Sequence, residues 1–125
     1  MGQHSVLFVD DNDHQHKLIS VYSRTLPDVS VHYASSLERT LEYIQDEQPD
    51  VIFLDSQLHP FTDFSQTVPQ IRDAGYTGTI VVISADINQP IFNKASEFNV
   101  HSCLDKTELT LSNYKSIVRQ YLAAQ

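Results

Sequence analysis

Short apolar runs alternate with longer amphipathic stretches along this chain. Three of the runs are nearly continuous in apolar residues, which is typical of strands buried on both faces of a parallel sheet. Two further segments are also predicted to be strands, and the last of them is the weakest. In chain order the five predicted strands are Val6–Val9, Val29–Tyr33, Val51–Leu54, Ile80–Ile83 and Val100–Leu104.

Apolar residues at three- and four-residue spacing predict helices between these strands. The first helix carries Leu18, Ile19, Tyr22 and Leu26, and it is expected to end at Pro27. The second begins with a capping-box signature, in which a serine is followed three residues later by a glutamate. That signature is formed by Ser35 and Glu38, and the helix is expected to end before Pro49.

The later helices are less regular in sequence. The segment Ser56–Val68 is predicted to be irregular, and Pro69 is expected in the first turn of a helix or at a kink. Pro90–Phe98 is predicted to be the fourth helix. An amphipathic stripe over Leu111–Leu122 predicts the fifth helix.

Five strands in alternation with five helices indicate an α/β fold with helices on both faces of a parallel sheet. Right-handed crossovers make a doubly wound sheet the natural topology. For a sheet of five strands we expect the flavodoxin-like order 2-1-3-4-5. The sequence contains no repeat or linker, so residues 1–125 are predicted to be one domain.

Composition narrows the possible functions. The chain has 125 residues, and its 16 acidic against 8 basic side chains give a formal charge of −8. Phosphate backbones and anionic membranes repel such a domain, so we expect no binding to nucleic acid or to membranes.

The lone Cys103 allows neither an internal disulfide nor a cysteine-based zinc site. Met1–Ser5 lacks the layout of a signal peptide and no apolar run reaches the ~20 residues of a membrane span, which predicts a cytoplasmic protein.

Polar side chains follow four of the predicted strands at the point where each strand ends. Asp10 and Asp11 follow the first strand, Asp55 the third, Ser84 the fourth and Lys106 the fifth. In the order 2-1-3-4-5, ligands bind beyond the carboxyl ends of strands 1 and 3, so we expect the three carboxylates to meet there. Carboxylates this close repel one another unless a cation is bound, and oxygen-only ligands favour Mg²⁺. A lysine and a hydroxyl beside them are groups that phosphoryl transfer uses.

Each of these residues alone has an ordinary structural explanation. Asp10 and Asp11 would be a strand-to-helix loop, with Asn12 or Asp13 as the helix cap. A single acid, serine or lysine at a strand end is equally common. Their joint placement at the ends of four strands is what favours a phosphorylation site.

The chain resembles the receiver domains of bacterial two-component response regulators, of the kind found in chemotaxis regulators, over nearly its whole length. The matching segments are Val6–Asn12, Asp50–Asp55, Ile83–Ala85 and Leu104–Lys106. The resemblance implies a phosphoryl donor, either a sensor histidine kinase or a histidine phosphotransfer protein. It also implies a downstream effector protein or output domain, and a domain that catalyses only its own phosphorylation and dephosphorylation.

The same resemblance implies the metal site. Asp55 is the phosphoacceptor, Asp11 ligates Mg²⁺ directly and Asp10 acts through a water molecule. The backbone carbonyl of Gln57 completes the protein ligands.

The resemblance also implies how the phosphoryl group is read. Ser84 bonds one phosphoryl oxygen and Lys106 pairs with another. Phosphorylation then shifts a conformational equilibrium, and the face around the fourth helix, fifth strand and fifth helix is read by a partner.

This chain departs from the family pattern in three places. The family usually has Met-Pro-x-Met-Asp-Gly after the acceptor, whereas this chain has Leu58–Phe64 with one inserted residue and Phe64 in place of the glycine. Cys103 stands where an aromatic residue is usual, and Thr107 stands where a proline usually follows the lysine. These departures keep open a second interpretation, a degenerate receiver that binds a protein independently of phosphorylation.

Two enzyme or cofactor interpretations are weaker. An aspartyl phosphatase generally has a second acid two residues after the nucleophile, and Gln57 occupies that position. A flavin-binding module would have a Ser/Thr/Gly-rich phosphate loop after the first strand, and the sequence has Asp10–Asp13 there instead.

Overall fold

One parallel sheet of five strands forms the centre of the molecule, and its order β2-β1-β3-β4-β5 is the predicted one. The computed structural model describes residues 4–123. Met1–Gln3, part of the segment that lacks the layout of a signal peptide, therefore lie outside the described residues. The strands are β1 (His4–Val9), β2 (Val29–Ala34), β3 (Val51–Asp55), β4 (Thr79–Ser84) and β5 (Ser102–Asp105).

In the described range 4–123, four helices of nine residues or more connect these strands and a fifth follows β5, which is the predicted number. They are α1 (Asp13–Tyr22), α2 (Leu37–Asp46), α3 (Phe64–Asp73), a 3₁₀ helix (Pro90–Phe98) and α4 (Leu111–Ala123). Within residues 4–123, none of these helices is both long enough and apolar enough to cross a membrane.

Apolar side chains cover both faces of the sheet because its strands are nearly continuous in apolar residues. On one face, α1 and α4 contribute side chains such as Ile19 and Val118. On the other face, α2, α3 and the 3₁₀ helix contribute side chains such as Ile44, Ile71 and Phe98. The doubly wound arrangement predicted from the sequence is therefore the observed one.

The register of the sheet brings the strand ends to one edge. Val9 of β1 lies beside Leu54 of β3, and Ser84 of β4 lies beside Asp105 of β5. All strands are parallel, so the residues that follow these positions emerge at the same edge of the sheet. This register positions the candidate site.

The second helix is capped one residue later than the sequence predicted. The side chain of Ser36, not of Ser35, accepts a hydrogen bond from the Arg39 N–H at 3.1 Å. A helix that begins after Ser36 places the side chains of Leu37 and Thr40 in the core. The expected capping box is absent here because the third helical residue is an arginine, which cannot accept from the cap's N–H.

The third helix begins earlier than predicted, so the expectation of an irregular segment is wrong for residues 64–68. The Asp63 side chain caps the helix and accepts hydrogen bonds from the N–H and the hydroxyl of Ser65 at 2.8 and 2.5 Å. Pro69 consequently lies inside the helix rather than in its first turn. Burial of Phe64 and Val68 explains this start, since both would otherwise leave the core.

The fourth helix is present over the predicted residues, but it is a 3₁₀ helix. It ends at Asn99, whose φ of 59° is in the left-handed region. Phe92 and Phe98 of this helix contact the ring of Phe64, with ring centres 5.4 and 5.9 Å apart. The helix is therefore held by aromatic contacts to α3.

Candidate functional site

Three carboxylates meet at the edge of the sheet where β1 and β3 end. Asp10, Asp11 and Asp55 each offer one oxygen, and these oxygens lie within 4.8 Å of one another. Asp10 and Asp55 are buried, whereas Asp11 is exposed. The parallel pairing of β1 with β3 produces this cluster, because it aligns the two strand ends.

Lys106 supplies the positive charge that faces the two buried acids. Its Nζ lies 3.0 Å from Asp10 Oδ2 and 3.4 Å from Asp55 Oδ2. The other carboxylate oxygen of Asp10, Oδ1, accepts a hydrogen bond of 2.9 Å from the Asn12 N–H. One ammonium group thus offsets part of the charge of two carboxylates, and the cluster as a whole stays negative.

The protonation of the site follows from burial and from these charges. Burial, together with the charge of Asp10, raises the pKa of Asp55, and Lys106 and the Gln57 N–H only partly oppose the effect. Burial lowers the pKa of Lys106, but its contacts with Asp10 and Asp55 outweigh burial and leave that pKa raised. Lys106 is therefore charged at neutral pH, and a further cation would favour ionised Asp55.

Gln57 contributes to the site through its backbone. Its N–H donates a hydrogen bond of 3.1 Å to Asp55 Oδ1, which holds the loop after β3 against the Asp55 carboxylate. The predicted metal ligand, the carbonyl of Gln57, belongs to the same short turn.

Asp11 has a partner that the sequence did not reveal. Its Oδ2 accepts a hydrogen bond of 2.9 Å from the backbone N–H of His59, in the loop that carries the inserted residue. The insertion was visible in the sequence, but a backbone donor leaves no residue-type signal. This bond ties the loop between β3 and α3, called here the β3–α3 loop (residues 56–63), to the acidic cluster.

Ser84 lies at the end of β4 and is buried. Its hydroxyl accepts a hydrogen bond of 3.1 Å from the Asp86 N–H and lies 3.3 Å from the Asp86 carbonyl. In this structure, Ser84 is thus bonded to its own following loop rather than to the acidic cluster.

The residues present fit a magnesium ion by their chemistry. All three side chains offer carboxylate oxygens, the ligand type that Mg²⁺ prefers. The three oxygens lie within 4.8 Å of one another, so one cation would be close to all of them. Asp10 Oδ2 is buried and has the Lys106 ammonium as its contact, which leaves it free to accept from a metal-bound water.

The departures from the family pattern have structural consequences. Phe64 fills the interface of α3 with the 3₁₀ helix. Thr107 donates hydrogen bonds from its N–H and its hydroxyl to Asp105 Oδ1, at 2.9 and 2.8 Å, and a proline would lack that N–H. Cys103 is half-buried against the core, and burial raises the pKa of its thiol, so it behaves as a small packing residue rather than a reactive one.

The family model described as the response regulator receiver domain matches residues 6–117. The chain therefore belongs to the response regulator receiver domains, the signalling modules of two-component systems. These domains interact with kinases and output domains and are not metabolic enzymes. No curated protein sequence matches the chain.

Several solved structures share the fold. The N-terminal domain of a response regulator/sensory box/GGDEF three-domain protein from Carboxydothermus hydrogenoformans is 22% identical, with 96% of this chain and 94% of that chain covered and a TM-score of 0.79. The response regulator domain of Thermotoga maritima CheB is 17% identical, with 96% of each chain covered and a TM-score of 0.78. A CheY-like receiver domain protein from Methanospirillum hungatei is 11% identical, with 98% and 96% covered and a TM-score of 0.83. At these identities the likeness establishes the fold.

Proposed function

We propose that this protein is a phosphorylation-dependent receiver that accepts a phosphoryl group on Asp55. The donor is a phosphohistidine on a sensor histidine kinase or a histidine phosphotransfer protein. The observation that carries the proposal is the contact of one ammonium, Lys106 Nζ, with both Asp55 and Asp10 at 3.4 and 3.0 Å, beside the third carboxylate. Family membership supports it, since receiver domains are signalling modules.

The proposed step is an exchange of one bond for another. A carboxylate oxygen of Asp55 attacks phosphorus, and an acyl phosphate bond forms as the bond from phosphorus to the histidine nitrogen breaks. The imidazole nitrogen of the donor keeps the electron pair of the broken bond. Lys106 and the Gln57 N–H already face the two oxygens of Asp55, so they hold the nucleophile in place.

Asp11, Asp55 and the Gln57 carbonyl would hold Mg²⁺, with Asp10 acting through a water molecule. When bound, the ion offsets the negative charge of the carboxylates and of the phosphoryl oxygens. Lys106 supplies part of the same compensation from the protein.

Ser84 and the loop that follows it are proposed to read the phosphoryl group. The Ser84 hydroxyl gives up its contacts with Asp86 and donates to a phosphoryl oxygen. That exchange shifts the residues leading into the 3₁₀ helix, so the face of the 3₁₀ helix, β5 and α4 presents a changed surface to an effector or output domain. We place this single domain, residues 1–125, in the cytoplasm, with no nucleic acid or membrane as its own partner.

Phosphorylation with a small-molecule donor tests the proposal. Intact mass after incubation with acetyl phosphate and Mg²⁺ is expected to show one phosphoryl addition, and Asp55→Asn is expected to abolish it. Asp46→Asn, an exposed acid on α2, is the matched control and keeps the addition. Lys106→Ala is expected to retain some phosphorylation but to lose most of the conformational response. A single addition that persists in Asp55→Asn would place the acceptor elsewhere.

A second candidate function is protein binding without phosphorylation. The observation that favours it is Cys103, a small side chain on β5 where the family usually has an aromatic ring. Under this alternative the parent protein takes up no phosphoryl group from acetyl phosphate and still binds its partner.

A further inference from the structure

An open groove runs along α2 beside the β3–α3 loop. It encloses about 560 Å³, within the roughly 300–1,000 Å³ of pockets that bind ligands. Its apolar lining comes from Leu37 and Leu41 of α2 and from Pro60 and Phe61 of the loop. Leu41 and Phe61 are half-buried and Pro60 is exposed, so part of this apolar surface faces solvent.

The charge along the groove has one sign. Glu38 and Glu42 lie one helical turn apart on α2, both are exposed, and both line the groove. No lysine or arginine of residues 4–123 lines it. The result is an apolar floor beside a row of two carboxylates, a pattern complementary to an apolar segment that carries basic side chains.

We propose that this groove is a docking site for a short segment of a partner protein in which apolar residues are flanked by lysine or arginine. The row of carboxylates along a helix fits an elongated ligand better than a compact small molecule. A second copy of this chain is a poor occupant, since its formal charge of −8 repels it. The five residues outside the described range, Met1–Gln3 and Ala124–Gln125, include no lysine or arginine to complement the glutamates.

The groove is separate from the face proposed to carry the phosphorylation signal. It lies on α2 and the β3–α3 loop, whereas the proposed readout uses the 3₁₀ helix, β5 and α4. The docking proposal therefore does not rest on phosphorylation, and it is testable on the unmodified protein without metal.

A capped peptide with two leucines flanked on each side by two lysines is the probe. Titrated into ¹⁵N-labelled protein without Mg²⁺, it is expected to shift the amides of residues 37–45 and those of His59 and Phe61. The double variant Glu38→Gln/Glu42→Gln is expected to weaken binding about three- to tenfold, the effect of losing two exposed charge pairs. The matched control, Glu97→Gln/Glu108→Gln, removes two exposed acids outside the groove and is expected to leave the affinity unchanged.

Two control peptides separate the contribution of charge from that of apolar contact. Glutamates in place of the lysines, or serines in place of the leucines, are expected to abolish the shifts at the groove. The proposal is overturned if the serine peptide binds as well as the leucine peptide, because charge alone then explains binding. Shifts outside the groove, equal weakening by the control double variant, or shifts that appear on concentrating the protein without peptide would also overturn it.

Discussion

At the scale of the residue, the three clustered carboxylates have different partners. Asp10 and Asp55 share the ammonium of Lys106, whereas Asp11 is exposed and bonded to the His59 N–H. Removal of Asp11 therefore takes away the exposed ligand of the proposed metal site and the partner of the His59 N–H, whereas the buried ion pairs of Asp10 and Asp55 keep both partners. This difference allows metal binding to be tested apart from the integrity of the site.

We expect Asp11→Ala to lower the affinity for Mg²⁺ by more than about tenfold, since loss of even an outer partner of a ligand costs about 10–100-fold. Without metal, the variant loses one repelling charge but also loses the bond from the His59 N–H, so its free energy of unfolding is measured alongside the affinity. Titration followed by amide NMR shifts measures the affinity, and Asp46→Ala is the charge-matched control. Equal Mg²⁺ affinity in Asp11→Ala and the parent would show that the metal binds elsewhere.

The sequence predicted the side chains of the site better than their contacts. The meeting of Asp10 and Asp55 is a consequence of strand order. The apolar pattern predicts the strands, and the order was expected because it is common for doubly wound sheets of five strands. The bond from His59 to Asp11 could not be predicted, because any residue in an inserted loop offers the same backbone N–H. The contact of Ser84 with Asp86 was missed for a similar reason, since it depends on the path of the loop.

At the scale of the element, two features affect the segment that leads from the end of β4 into the 3₁₀ helix. Ser84 is bonded to Asp86 at its start, and Cys103 on β5 packs in the same core as the rings of the 3₁₀ helix. A thiol has one side-chain torsion and far less volume than a ring, so its rotation cannot open or fill much space. A shift on phosphorylation would therefore depend on the loop of residues 85–89.

We expect the phosphate mimic beryllofluoride, added with Mg²⁺, to perturb amide shifts most strongly near Asp55 and over residues 84–89. The changes near Cys103 should be smaller, because no large side chain moves there. Cys103→Ala is the control and should keep both the binding and the response. If Cys103→Ala binds beryllofluoride yet loses the response across the 3₁₀ helix, the thiol is a required part of the switch.

Strands were easier to predict than helix starts. Buried strands have a composition of their own, whereas a cap depends on which of two adjacent residues leaves the right side chains in the core. Ser35 and Ser36 are chemically equivalent, and burial of Leu37 and Thr40 decides between them. The 3₁₀ geometry of Pro90–Phe98 was not predictable for a different reason. Its apolar spacing fits an α-helix as well as a 3₁₀ helix.

At the scale of the whole molecule, two buried tyrosines link stability to alkaline pH. Burial raises the pKa of Tyr76 and of Tyr114 far above the ordinary value of 10.0. In the unfolded chain both phenols ionise near pH ~10, whereas in the folded protein they stay protonated. Their contribution to stability is therefore complete below pH ~10 and is lost as the pH rises from there toward the folded pKa.

The two hydroxyls differ in their partners, which makes them a matched pair. Tyr76 Oη donates to the Pro49 carbonyl at 2.8 Å, whereas Tyr114 Oη has no hydrogen-bond partner among residues 4–123. We expect Tyr76→Phe to lower the free energy of unfolding at pH 7 by about 1–2 kcal/mol. Tyr114→Phe should leave it equal or higher and reduce the loss above pH 10. Urea unfolding at pH 7 and above pH 10 measures both, and equal destabilisation by the two variants would contradict the assignment.

The hydrogen bond from His59 to Asp11 joins the wall of the groove on α2 to the acidic cluster. If a ligand in the groove moves the His59 N–H, it changes the affinity of Asp11 for a cation, and by linkage the cation changes the affinity for that ligand by the same factor. A partner seated against the β3–α3 loop would then change the affinity of Asp11 for a cation, and the cation would change the affinity for the partner.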